Sequence, residues 1–106
     1  MSDLYVGLMS GTSLDGIDAA LVEFVGSAER PAEARLVAFR TDTYEPDVVS
    51  RLSAAVSGRT GSAELCDLGF ELGERFAETS LALLNQAGVD PGEVAAIGCH
   101  GQTVWH

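Results

Sequence analysis

The chain has 106 residues, 46% apolar and 21% charged, and six basic against sixteen acidic residues leave a formal net charge of −10. This is a globular rather than a disordered composition, and its acidity argues against sequence-independent nucleic-acid binding, which needs Lys and Arg to neutralise phosphates. No apolar run approaches the roughly 20 residues of a membrane-spanning helix.

The start, Met1-Ser2-Asp3, lacks the basic flank and long apolar segment of a secretory signal. Cys66 and Cys99 belong to no CxxC pattern, so a reduced, cytoplasmic protein is expected, without membrane or nucleic-acid partners. The overall negative field repels anions, and any phosphate site has to be a local arrangement.

In chain order, residues 4–9 form a short β-branched and aromatic run that ends at Ser10-Gly11 and predicts a strand. Residues 17–25 predict a second, apolar on both alternating faces and hence central and covered on both sides. A turn is expected over residues 26–33, with Gly26, Ser27 and Pro31. A third strand follows over 35–43, and the short connections argue for an antiparallel meander. The period then changes. Pro46 suits the first turn of a helix, Val48, Val49, Leu52, Ala55 and Val56 recur at three- and four-residue steps, and Gly58 is placed to end it. Ser62 is the expected cap of a second helix, with Glu64 and Asp67 near its positive end. Leu65, Leu68, Leu72, Phe76 and Leu83 make its apolar stripe, and Glu64, Asp67, Glu71, Glu74 and Glu78 make a solvated opposite face rather than a metal site. Gly88 closes it, and residues 94–99 predict a fourth strand. The expected order is β-β-β-α-α-β, an α/β layout with a mixed sheet. The chain stops at Val104-Trp105-His106, directly after a motif-like stretch, so a fragment of a longer protein is expected.

The first loop, Ser10-Gly11-Thr12-Ser13-Leu14-Asp15-Gly16, is long for a hairpin link. Gly11 and Gly16 permit positive φ and close backbone approach. Successive N–H groups in such a turn can form an anion-binding nest, and Ser10, Thr12 and Ser13 add uncharged donors. Asp15 would repel a bare anion. With Mg²⁺ between them the conflict disappears, because magnesium is commonly held by a carboxylate or two, phosphate oxygens and water. Asp18 is either a second outer-sphere ligand or a backbone-bonding residue at the strand entrance. Composition alone fits an ordinary Gly/Ser/Asp hairpin equally well. There is no Gly-Lys-Ser/Thr, and the loop leads into a strand, which sets aside Walker and dinucleotide-binding readings.

The second cluster, Gly98-Cys99-His100-Gly101-Gln102-Thr103, follows the fourth strand, where ligand contacts are favoured. His100, Gln102 and Thr103 offer the directional donors and acceptors that sugar hydroxyls need. Cys99 with His100 makes a poor nucleophile pair, since neighbours on an extended strand point apart. His100 with His106 lacks the further ligands zinc requires. A polar strand-end turn with Cys99 in the core stays open, and Trp105 is expected in core or domain-contact packing.

Two stretches, YVGLMSGTSLDGID from Tyr5 through Asp18 and IGCHGQTV from Ile97 through Val104, together resemble the anhydro-N-acetylmuramic acid kinases of the actin–hexokinase superfamily. The resemblance implies an α/β, ribonuclease-H-like (actin-like ATPase) half-domain, with residues 1–106 as the amino-terminal part of the first lobe of a two-lobe sugar kinase. It implies a reaction in which ATP and water open the anhydro ring and yield N-acetylmuramic acid 6-phosphate during peptidoglycan recycling. By the same resemblance, Gly11, Thr12, Ser13, Leu14, Asp15, Gly16, Ile17 and Asp18 form the ATP-phosphate segment, and Asp15 organises Mg²⁺ through water. His100, Gln102 and Thr103 would line or support the sugar side. The general base and the adenosine site are expected beyond His106, so the 106 residues alone are expected to be inactive. A homodimeric full-length form is left open. The competing readings are a non-catalytic phosphate- or nucleotide-binding module and a purely structural domain; an acetate or glycerol kinase would share the fold, but a different first-loop sequence is expected of it.

Overall fold

Alternation on the first two strands decides the architecture. Val6, Leu8 and Ser10 point one way from β1 (Ser2–Ser10), and Ile17, Ala19 and Leu21 point the same way from β2 (Gly16–Gly26). All six are buried, as expected for residues at i, i+2 and i+4 of strands packed on one side. The computed structural model describes residues 2–26 and 29–105. In it β3 (Pro31–Thr43) pairs antiparallel with β2, and β2 with β1, giving the expected meander. The strand β4 (Val94–Gln102) lies parallel to β1, so the sheet is mixed, in the order β3-β2-β1-β4.

Two helices supply the cover. Pro46 occupies the first turn of α1 (Pro46–Val56). Gly58, at φ +72°, ends that helix: Gly58 N–H donates to Ala55 O and Arg59 N–H to Ala54 O, the paired bonds of a Schellman stop. The helix α2 (Ser62–Ala87) ends the same way, with Gly88 at φ +69°. Its start differs from expectation by one residue. Gly61 takes the cap position and Ser62 is already helical, with no side-chain cap bond. A single 3-10 turn, Pro91–Glu93, leads into β4. The observed order is thus β-β-β-α-α-β, the mixed α/β half-domain anticipated from the resemblance.

Val48 and Leu52 of α1 and Leu68, Leu72, Phe76, Leu83 and Leu84 of α2 join the strand residues in one core. Leu65, expected in that stripe, is 45% exposed and lines an open groove between α2 and the β4 edge. Both helices share this face, so β2 is central but covered on one side only. On its other side Asp18 is exposed and Ala20, Val22 and Phe24 are half-buried, with the Phe24 ring edge-on to Tyr5 at 5.4 Å.

The acidic face of α2 also departs from a simple solvated stripe. Arg51 of α1 reaches across to Glu64 at 2.7 Å and to Glu71, and Arg75 approaches Glu71 at 3.5 Å. The Arg51 hydrogen bond holds the Glu71 carboxyl below its ordinary value, and Glu64 and Glu71 raise that of the guanidinium. Among the described residues no helix is long and apolar enough to cross a membrane. Ser27, in the expected turn, and His106 lie outside the described residues.

Candidate functional site

The parallel pairing of β1 with β4 places the ends of both strands side by side. Ser10 faces Gln102 in register, although they are 92 positions apart in sequence. The loop that leaves β1 and the motif that ends β4 therefore share one corner of the sheet.

The loop itself is residues 11–15, shorter than the sequence suggests because Ser10 and Gly16 belong to strands. Leu14 N–H donates to Gly11 O at 3.3 Å and closes a turn over Thr12 and Ser13. The left-handed residue is Leu14, at φ 57°, rather than either glycine. Leu14 tolerates this position while its side chain packs against the core. Gly16 is needed for proximity instead. A Cβ there would lie 2.4 Å from Asp42 O and 2.9 Å from Thr43 Cα, both backbone atoms of β3. Gly11 has neither constraint, with open space where a Cβ would stand.

Thr12, Ser13 and Asp15 are exposed, and Ser13 Oγ donates to Asp15 Oδ1 at 2.8 Å. Among the described residues their N–H groups make no backbone hydrogen bond outside strands and helices. Thr12 and Ser13 thus offer two adjacent donors and Asp15 a third, separated from them by Leu14 N–H, which Gly11 O engages. Among those residues no three of His, Cys, Asp and Glu gather to hold a metal ion by themselves. A cation at Asp15 would therefore draw most of its ligands from phosphate oxygens and water, which is the habit of magnesium.

Beneath the loop sits a buried polar cluster. Ser10, 2% exposed, donates to Gly16 O at 2.5 Å and lies 2.6 Å from Gln102 Oε1. Tyr44 Oη is 2.9 Å from Ser10 Oγ and 3.1 Å from Gln102 Oε1. Gln102 Nε2 donates to Gly11 O at 2.8 Å and to Thr103 O at 3.0 Å. Burial raises the Tyr44 hydroxyl above its ordinary range, opposed by the Ser10 bond, so it remains a donor at neutral pH. Ser10 was expected to offer its hydroxyl to phosphate. It faces inward instead and serves the loop's own backbone.

Tyr44 is the residue that sequence reasoning missed. Its position between a strand end and the Pro46 helix start was a weak signal, since aromatic residues there usually only pack. Its backbone matters too, because Tyr44 N–H donates to Asp15 O at 3.1 Å. The end of β3 is in turn held by Asp42, which accepts from Arg40 Nε and from Thr79 of α2, each at 2.8 Å.

The remaining candidates diverge. Ile17 is buried in the core. Asp18 accepts from Thr41 Oγ1 at 2.7 Å on the helix-free face. There it lines a shallow hollow with His100, Gly7, Gly98, Met9 and Phe39. Asp15 and Asp18 thus belong to different surroundings, one in the loop and one on the sheet. Thr103 is half-buried and lines a separate hollow with Thr12, Val56 and Trp105. Cys99 is exposed in a groove between β4 and α2 rather than in the core, and Trp105 is 83% exposed. Cys99 is exposed because α2 packs over β1 to β3 and leaves β4 at the sheet edge, whereas an exposed Trp105 leaves the expected domain contact open.

Comparison with known proteins places these features in context. Residues 3–106 match the family model described as anhydro-N-acetylmuramic acid kinase. The chain is similar to proteins of that name from Caldanaerobacter subterraneus subsp. tengcongensis (44% identity over 104 residues, 97% of this chain) and Vibrio vulnificus (42% over 105 residues, 98%). It is also similar to one from Gloeobacter violaceus, with 44% identity over 104 residues and 97% of this chain. The matched region is 26–27% of these relatives, so the chain spans about a quarter of their length.

Proposed function

Because the chain belongs to the anhydro-N-acetylmuramic acid kinase family, we propose that it is the amino-terminal part of the first lobe of a two-lobe sugar kinase. The complete enzyme uses ATP and water to open 1,6-anhydro-N-acetylmuramic acid and forms N-acetylmuramic acid 6-phosphate, in the cytoplasm. The observation that carries this reading is the loop over residues 11–15: exposed hydroxyls, N–H groups without backbone partners and one carboxylate, set beside the end of β4.

In this reading the segment from Gly11 to Asp18 cradles the ATP phosphates, with the N–H groups of Thr12, Ser13 and Asp15 as its donors. Asp15 suits Mg²⁺ because it is exposed and its nearest side-chain partner is a neutral hydroxyl. When bound there, the ion would offset charge on the phosphate oxygens. Ile17 and Asp18 fix the strand that follows the loop, Ile17 by burial and Asp18 through Thr41. His100 and Thr103 are the candidate sugar-side residues, each in the hollow it lines, whereas Gln102 is turned toward the loop. The general base and the adenosine pocket come from the part of the family length that this chain does not span.

The test is product formation from the anhydro sugar and Mg-ATP by the family-length protein that contains this segment, beside its Asp15→Ala variant. The parent should form the 6-phosphate sugar, and the variant should lose about 10²-fold or more in kcat, in the range seen when one electrostatic stabiliser is removed. A folded parent that forms no product, or a variant that matches it, overturns the assignment.

A further inference from the structure

We infer that Gln102 is a positioning residue for the phosphate loop: from the end of the sugar-side motif, and with Ser10 and Tyr44, it sets the affinity for nucleotide. The inference rests on the loop's role proposed above.

A count of hydrogens carries it. The Gln102 amide has two N–H donors, and these meet two carbonyls, Gly11 O at 2.8 Å and Thr103 O at 3.0 Å. Flipping the amide would set its oxygen against both carbonyls, so the orientation is determined. Its oxygen then lies within reach of two hydroxyls, Ser10 at 2.6 Å and Tyr44 at 3.1 Å. Ser10 has one hydrogen and the shorter contact to Gly16 O, at 2.5 Å. The two hydroxyl hydrogens are shared among four contacts: Ser10 O–H lies between Gly16 O and Gln102 Oε1, and Tyr44 O–H between Ser10 Oγ at 2.9 Å and Gln102 Oε1. Every polar atom of the amide is then engaged within the protein.

The two loop carbonyls in this cluster are Gly11 O and Gly16 O, one at each end of the exposed loop. Residues 12–15 are therefore slung between two points held by one buried cluster, and Tyr44 N–H adds a third hold at Asp15 O. Preorganised donors need no reordering when an anion arrives, so loosening this hold costs nucleotide affinity. The sugar has no free atom of Gln102 to bind.

The experiment uses the family-length kinase, with KM for ATP and KM for the anhydro sugar measured separately, and Kd for a non-hydrolysable Mg-nucleotide measured without sugar. In Gln102→Leu, the ATP KM and the nucleotide Kd should rise about tenfold, while the sugar KM stays within about twofold. Tyr44→Phe, which removes one oxygen and keeps the packing, should raise the same two constants about threefold, as expected for one hydrogen bond. The double variant should bind nucleotide no worse than Gln102→Leu, because groups in one network are not additive. A rise in sugar KM with ATP constants unchanged makes Gln102 a sugar contact and overturns the inference, as does an unaltered nucleotide Kd in Tyr44→Phe. A parent that binds Mg-nucleotide without turnover, and loses affinity in both variants, would sink the kinase assignment and leave this inference standing. A parent that binds no nucleotide overturns both.

Discussion

Replacing Gly16 by Ala gives the sharpest test of how the loop is held. An added Cβ would stand 2.4 Å from Asp42 O, where ordinary contact begins near 3.4 Å, so one backbone has to retreat by about 1 Å. The end of β3 resists, because Asp42 is bonded to Arg40 and to Thr79 on a packed helix. The start of β2 therefore has to move. Overpacking of this kind costs about 1–3 kcal/mol. Its displacement also strains two hydrogen bonds, Tyr44 N–H to Asp15 O and Ser10 O–H to Gly16 O, at about 1 kcal/mol each. The expected total is about 3–5 kcal/mol, a Tm lowered by roughly 6–20 °C for a folding unit of 150–250 residues. Thermal unfolding of the family-length protein measures it, with Gly11→Ala as the matched control. Gly11 has open space at its Cβ position, so that variant should unfold within about 0.5 kcal/mol of the parent. Equal midpoints for the two variants would refute the close-approach argument, and glycine at position 16 would need another reason.

Two further outcomes follow from packing and charge. Leu83 is fully buried between α2 and the sheet, so Leu83→Ala should cost about 2–5 kcal/mol, read as a lower urea midpoint with an unchanged slope. Glu71 has its folded pKa lowered by Arg51 from an ordinary value of 4.5, so its contribution to stability is present above that value and lost as pH falls through the depressed one. Glu71→Gln should accordingly be less stable than the parent at neutral pH, and the gap should close in acid. A gap that persists unchanged in acid, measured by denaturant midpoints across that window, would show that the pairing with Arg51 is not its source.

Much of this chain's architecture is local and could be read directly from residue order. The runs that became β1 to β4 alternate or are uniformly apolar, the stripes of α1 and α2 recur at helical spacing, and Pro46, Gly58 and Gly88 mark helix ends through their own backbone preferences. The two motifs named the family, whereas the first loop's composition by itself fitted a phosphate loop and an ordinary hairpin equally well. Even here some local chemistry was ambiguous by a residue: Gly61 rather than Ser62 caps α2, because either can adopt the extended conformation required.

Tertiary structure decided what those residues touch. Alternation says which face a side chain takes but not which strand lies beside it. Only the parallel register of β1 and β4 sets Ser10 against Gln102, and only the end of β3 explains Gly16 and recruits Tyr44. The same strand order leaves β4 at the edge, and Cys99 is exposed there although a core position was open to it. The physical reason is range. Backbone propensity and periodicity act within a turn or two of the chain, whereas a side-chain hydrogen bond spanning 92 positions exists only once sheet order and register have brought its partners together.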